Sequence, residues 1–195
     1  MRSLFGPPSE GGRIETVCLD FETTDLDVST ARIVEVGAVS LSWLSDALPP
    51  APIFTPLLDT LVDPGIPIPQ AASRVHGISD ARATMAPPTR DVLVRLLSIL
   101  GDFDAVVGFN IDDYDWRVLA AECRRWGLAA EFMALNRRLV IIDVMRLLPR
   151  RRSLVAVAWE KFGVDCVFHA HSAVADATMT GRVLARLAAD GAVRL

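Results

Sequence analysis

Cys18-Leu19-Asp20-Phe21-Glu22-Thr23-Thr24 is the stretch on which the reading of this chain turns. The residues leading into it, Ile14 to Leu19, are apolar and β-branched and predict a short buried strand. Asp20 and Glu22 follow just past the predicted strand end. Being two residues apart, they leave the chain on one face. Two carboxylates so placed can share one hard divalent cation or bridge two. Thr23, Thr24 and Leu26 continue into the adjoining loop, where hydroxyl and backbone groups can meet a substrate sugar. Alone, Asp-x-Glu reads as a solvated strand end, and its weight comes from two distant segments.

The first is Gly108-Phe109-Asn110-Ile111-Asp112-Asp113-Tyr114-Asp115, and the second is His171-Ser172-Ala173-Val174-Ala175-Asp176. Acids this far apart in sequence converge only in a folded domain, and converged acids repel one another unless cations hold them. Asp112 and Asp113 crowd Asp115. An aromatic residue precedes Asp115, and Val118 and Leu119 lie three and four residues after it, packing its helix inward and pointing it to the sheet edge. Asp113 stays open as the alternative. An imidazole titrates at about pH 6.5, which suits His171 to take a proton from water near neutrality. His169 is the competing base, at a spacing that fits less well.

Outward from these segments, the chain predicts strands at Ile14–Leu19, Ile33–Ser42, Phe54–Val62, Ala105–Gly108 and Leu139–Asp143. Ser45 to Pro50 reads as a turn. Helices are predicted at Ala71–Val75 (ended by Gly77), after Pro87-Pro88 through Leu100, at Asp115–Trp126, from the Ser153 cap through Phe162, and at Ala173–Ala189. Three strands in succession suggest an antiparallel meander, and the later alternation of strand and helix a parallel continuation. The expectation is an α/β domain: a mixed five-stranded sheet, three antiparallel strands followed by two parallel, with helices on both faces. Residues 1–13 are expected to be a flexible segment and residues 14–195 a single domain.

The chain has 195 residues and a net charge of −4, which argues against coating nucleic acid through bulk positive charge. It leaves open an enzyme that holds one nucleic-acid end through metal ions. Of the 20 Lys and Arg residues, only Lys161 is a lysine, and Arg150-Arg151-Arg152 is the basic cluster. It reads as a solvated loop, with contact to a substrate backbone as the alternative. Cys18, Cys123 and Cys166 form no CxxC pair and no even disulfide framework, which suggests a reducing compartment. No signal-peptide core and no membrane-length apolar run is present, so a cytoplasmic protein is expected. Cys166, His169 and His171 carry a weaker zinc reading, because no fourth ligand stands nearby.

Leu19-Asp20-Phe21-Glu22-Thr23-Thr24 resembles the first motif of the DEDD 3′–5′ exonucleases, a group with a ribonuclease-H-like fold that includes proofreading epsilon subunits of bacterial replicative polymerases. Asn110 with Tyr114-Asp115 is similar to the second motif, and His171-x4-Asp176 to the third. Ser172 stands where a related branch has tyrosine, so the resemblance is to the histidine branch, DEDDh. Ala72-Ser73-Arg74-Val75-His76-Gly77-Ile78-Ser79 resembles a segment of polymerase-associated members. The resemblance covers roughly residues 14–188.

The resemblance implies that Asp20, Glu22, Asp115 and Asp176 hold two Mg²⁺ or Mn²⁺ ions, ~3.5–4 Å apart as in two-metal sites generally. It further implies that His171 is the general base, that Phe109 and Asn110 touch the terminal base and sugar, and that His76 shapes the cleft. Asp143 reads either as support behind the site or as a cap. The implied substrate is a nucleic acid with a free, single-stranded 3′ end, DNA favoured over RNA, with a polymerase or repair protein as candidate partner. RNA-processing members are one alternative. A non-catalytic adaptor is another, disfavoured because all five catalytic positions are filled.

Overall fold

The computed structural model describes residues 15–42, 52–163 and 171–193. The predicted N-terminal segment and the Ser45–Pro50 turn lie outside the described residues. Strands β1 (Thr16–Thr23), β2 (Ile33–Ser42) and β3 (Ile53–Leu61) come first. Helices α1 (Gln70–His76), α2 (Asp80–Ala83) and α3 (Thr89–Leu100) lead to β4 (Ala105–Gly108). Then follow α4 (Asp115–Arg125), α5 (Ala129–Arg138), β5 (Val140–Asp143), a 3-10 turn (Val144–Leu147), α6 (Leu154–Phe162) and α7 (Ala173–Ala189). The sheet order is β3-β2-β1-β4-β5. The β1–β2 and β2–β3 pairs are antiparallel; β1–β4 and β4–β5 are parallel.

Strand alternation divides β1 between two cores. Val17, Leu19 and Phe21 pack with Leu93, Leu96 and Leu100 of α3 and with Val118 and Leu119 of α4. Cys18 packs on the other face with Val39, Leu41, Val107, Val157 of α6 and Val183, Leu184 and Leu187 of α7. Each leucine so buried contributes roughly 1.5–3 kcal/mol. A third cluster of Val34, Ile68, Ile78 and Ala83 seats α1 and α2 beside β2.

The central correction concerns β1. It does not stop at Leu19: its pairing with β2 runs through Asp20↔Gly37 and Glu22↔Glu35. Both acids therefore sit inside the strand, because the second strand continues to pair where the apolar run has ended. Helices α2 and α5 were not predicted. The first is a single turn, and α5 buries only Phe132 and so carries little periodic signal. Helix α4 stops at Arg125, one residue short of the prediction, and Gly127 beyond it takes a left-handed φ of 73°.

Two glycines let α7 lie directly on the sheet. A β-carbon on Gly37 would stand 2.2 Å from the Val174 amide nitrogen, and one on Gly181 would stand 2.8 Å from Cys18 Sγ. The N-terminus of α7 is thereby pressed against the strand pair that carries Asp20.

Candidate active site

Asp20 and Glu22 project from β1 on the face that α7 covers. Asp115 is the first residue of α4, and Asp176 lies in the first turn of α7. The placement of Asp115 follows from how β1 and β4 diverge. Parallel pairing with β4 reaches only Cys18, and beyond it the Phe21 amide donates to Asp115 Oδ1 at 3.1 Å. Gly108 lets the chain fold back tightly, since a β-carbon there would stand 2.6 Å from Ile111 Cβ. Ile111 is thus buried and its carbonyl accepts from the Trp116 amide.

The four acids act on one another. Burial first, then the charges of Asp115, Asp176, Glu22 and Glu35, hold the Asp20 carboxyl well above the usual carboxylate range. Burial, then Asp176, Glu35 and Asp115, pushes Glu22 up to about 8. Burial pushes Asp115 up to about 7, against hydrogen bonds from its own amide and that of Phe21. Asp176 is raised by burial, an effect opposed by the His171 amide, which donates to Asp176 Oδ2 at 3.2 Å. One buried carboxylate, Asp115, and three half-buried ones that resist ionisation for want of a counter-charge are the donor set that a hard divalent cation fits.

Glu22, His171 and Asp176 present one ligand atom each, all within 4.8 Å of one another. His171 is exposed and takes a left-handed φ of 72° two residues before α7. The other non-glycine residue with positive φ among the described residues is Asn110, at 64°. Such backbone is uncommon outside glycine and concentrates at functional sites. The Asn110 amide donates to Asp143 Oδ1 at 2.9 Å, and Asp143 Oδ1 also accepts from the Met145 amide. Asp143 is therefore both a cap of the 3-10 turn and the anchor of the loop after β4. Arg151 Nη2 donates to Asn110 Oδ1 at 2.8 Å, which brings one member of the basic cluster to the rim of the site.

The structure separates the competing acids. Asp113 pairs with Arg146 at 3.0 Å and Arg151 at 3.6 Å, and Asp112 pairs with Arg146. Asp115 is the one that joins Asp20 and Glu22.

The surrounding candidates divide in the same way. Leu26 is 87% exposed on the loop after β1. The Thr23 hydroxyl shares a hydrogen bond with the Tyr114 hydroxyl, which donates to the Asp25 carbonyl. Thr24 is buried, and its hydroxyl accepts from the Arg32 amide at 3.0 Å, so it closes the loop instead of facing outward. Phe109 packs against the α7-side core. His76 Nδ1 accepts from the Ile78 amide at 3.0 Å, and the ring lies against the Thr23 backbone with His171 nearby. Cys166 and His169 lie outside the described residues.

Sequence reasoning missed the hydroxyl of Tyr114 and the carboxylate of Glu35, which accepts from the Ala173 amide at 2.9 Å. A signal for the latter existed: Glu35 is the lone charged residue in the strand Ile33–Ser42.

The exonuclease (RNase T) family model matches residues 17–184. An uncharacterized exonuclease, CP81, of Escherichia phage 186 is 29% identical over 192 residues, spanning 91% of this chain and 90% of that protein. DNA polymerase III subunit epsilon of Aquifex aeolicus is 27% identical over 174 residues, spanning 88% of this chain and 79% of that one. Among solved structures, the zinc-bound complex of E. coli exonuclease I with single-stranded DNA superposes with a TM-score of 0.67 at 15% identity. That match covers 90% of this chain but only 40% of exonuclease I, and it establishes a common ribonuclease-H-like sheet.

Proposed function

The chain belongs to the exonuclease family, as a 3′–5′ exonuclease of the DEDDh type, and we propose that it releases nucleoside 5′-monophosphates from the 3′ end of single-stranded DNA. The observation that carries this reading is the convergence of Asp20, Glu22, Asp115 and Asp176 at one end of the sheet with His171 at their rim.

The four carboxylates would hold two Mg²⁺ or Mn²⁺ ions. Bound there, the ions supply activation of the attacking water and neutralisation of charge on the phosphate and the departing 3′-oxygen. The chain's own residues do the rest. Asp20 and Glu22 are rigid because β1 is paired with β2 on one side and held by Asp115 on the other. His171 takes the proton of the attacking water; its exposure lets it pass that proton on to solvent. The phosphodiester is opened in line, and the 3′-oxygen of the next nucleotide leaves with the shortened strand. Leu26, Asn110 and Phe109 line the approach of the terminal nucleotide, Thr23 stands at the end of β1, and His76 backs the cleft. Exposed Leu26 suits an apolar contact with a base, which a single strand offers and a duplex conceals.

DNA is favoured over RNA by the likeness to an epsilon subunit, and the same likeness makes a polymerase the candidate partner. Among the described residues no helix is long and apolar enough to cross a membrane.

The test is digestion of end-labelled single-stranded DNA, duplex DNA and RNA side by side with Mn²⁺. Stepwise shortening of the single-stranded DNA from its 3′ end, abolished by EDTA, is the expected outcome. Preference for RNA would overturn the substrate assignment, and tightly held zinc without cleavage would overturn the nuclease reading.

A further inference from the structure

The first turn of α7 carries Asp176 and begins two residues after His171, so whatever seats that turn places both side chains. Ser172 occupies the N-cap position, yet its hydroxyl makes no capping bond. The Ala173 amide donates instead to Glu35 Oε2, a contact between residues 138 positions apart. Two residues along β2 on the same face, Gly37 meets the backbone of Ala173 and Val174. Glu35 and Gly37 together form the seat of α7.

Glu35 also stands in an unfavourable place for an acid. It is partly withdrawn from water, it pairs with Glu22 across β1–β2, and the charges of Asp59 and then Asp176 act on it. Arg82 offsets part of that repulsion. The unpaired amides and positive dipole end of a helix N-terminus offset more. An acid held against like charges by a helix terminus fits a role in holding that terminus.

Resting on the exonuclease reading above, we infer that Glu35 is a positioning residue for the reaction. By accepting from the Ala173 amide it locks the first turn of α7 to β2, and so sets Asp176 and His171 relative to Glu22. The bond needs an acceptor oxygen and not a charge. Glutamine keeps such an oxygen; alanine does not.

Full-length wild type, Glu35→Gln and Glu35→Ala are compared in two measurements. One is kcat and KM for Mn²⁺-dependent 3′ trimming of single-stranded DNA. The other, on metal-free protein, is Ala173 amide hydrogen exchange together with the His171 ring shifts by NMR. Glu35→Ala should lower kcat by about 10- to 100-fold, the scale of an ångström-sized misplacement, with KM changed by less than about threefold. Its Ala173 amide should exchange faster and its His171 shifts should move. Glu35→Gln should restore both readouts to within about threefold of wild type. A Glu35→Ala protein with wild-type kcat and exchange would overturn the inference. So would a Glu35→Gln protein as slow as the alanine variant, because charge and not the hydrogen bond would then be what matters. Should Glu35→Ala fail to fold, Glu35→Met, which fills similar space without an acceptor oxygen, takes its place with the same expected and overturning outcomes. Should the wild type trim no substrate, the nuclease reading falls separately, and Ala173 exchange with the His171 shifts still reports whether Glu35 holds the helix.

Discussion

Gly37 on β2 and Ala173 at the start of α7 leave no space between them: a β-carbon on Gly37 would stand 2.1 Å from the Ala173 carbonyl carbon. Gly37 is also the cross-strand partner of Asp20. This contact of helix and sheet therefore falls beside an acid held well above the usual carboxylate range, and the site's dimensions depend on the absence of one methyl group.

Gly37→Ala should separate α7 from the sheet. Overpacking of this kind costs about 1–3 kcal/mol, and here backbone and not a flexible side chain must yield. We expect a lower urea midpoint and a loss of nuclease activity larger than the loss of stability explains. Wild-type kcat in this variant would show that the helix can be displaced without consequence.

The acids also predict how metal-free protein responds to pH. Folding raises Glu22 from 4.5 to about 8 and Asp115 from 3.8 to about 7, with Asp20 and Asp176 moved the same way. The native state therefore keeps protons that the unfolded chain has released. The stability present below the unfolded values is lost as pH rises through the folded ones. In EDTA the melting temperature should fall between about pH 5 and about pH 8, and Mn²⁺ should restore it at the upper end by binding only the folded state. A flat profile in EDTA would contradict the convergence of charge.

Asp20→Ala and Asp176→Ala should abolish cleavage while circular dichroism remains native. His171→Ala should lower kcat by about 10²–10⁴-fold, the usual worth of a general base, and still bind Mn²⁺ in isothermal titration. Absence of binding in the histidine variant would make His171 a ligand and not the base.

Tyr114→Phe keeps the ring and removes the hydroxyl that ties the end of β1 to the start of α4 through Thr23 and Asp25. A stability loss of about 0.5–1.5 kcal/mol is expected. KM should rise more than kcat falls, because the loop bearing Leu26 loosens while the acids stay in place. An unchanged melt and KM would assign the hydroxyl no part in holding that loop.

Much of this architecture was legible in local pattern. Residues Ile33–Ser42, Ala105–Gly108 and Ala173–Ala189 were predicted with the bounds observed, since apolar period, flanking glycine and cap act over a few residues. The Ser153 hydroxyl caps α6 as expected, accepting from the Ala156 amide. Helix α5 was not legible, because a helix that buries one phenylalanine has almost no periodic face to read. Thr24 read as a substrate group because a hydroxyl in a loop looks available until its partner, Arg32, is known.

From the residues alone follow the shared face of Asp20 and Glu22, the place of Asp176 in a helix and the need for a cation, because strand and helix periods and charge repulsion are local physics. The pattern around Asp115 favoured it over Asp113, and the Phe21 amide and the Arg146 and Arg151 pairs show where each goes. Tertiary structure alone decided that β1 runs on through both acids and that Glu35 grips the Ala173 amide. Those outcomes rest on contacts between segments far apart in the chain, and such contacts leave no periodic trace along it.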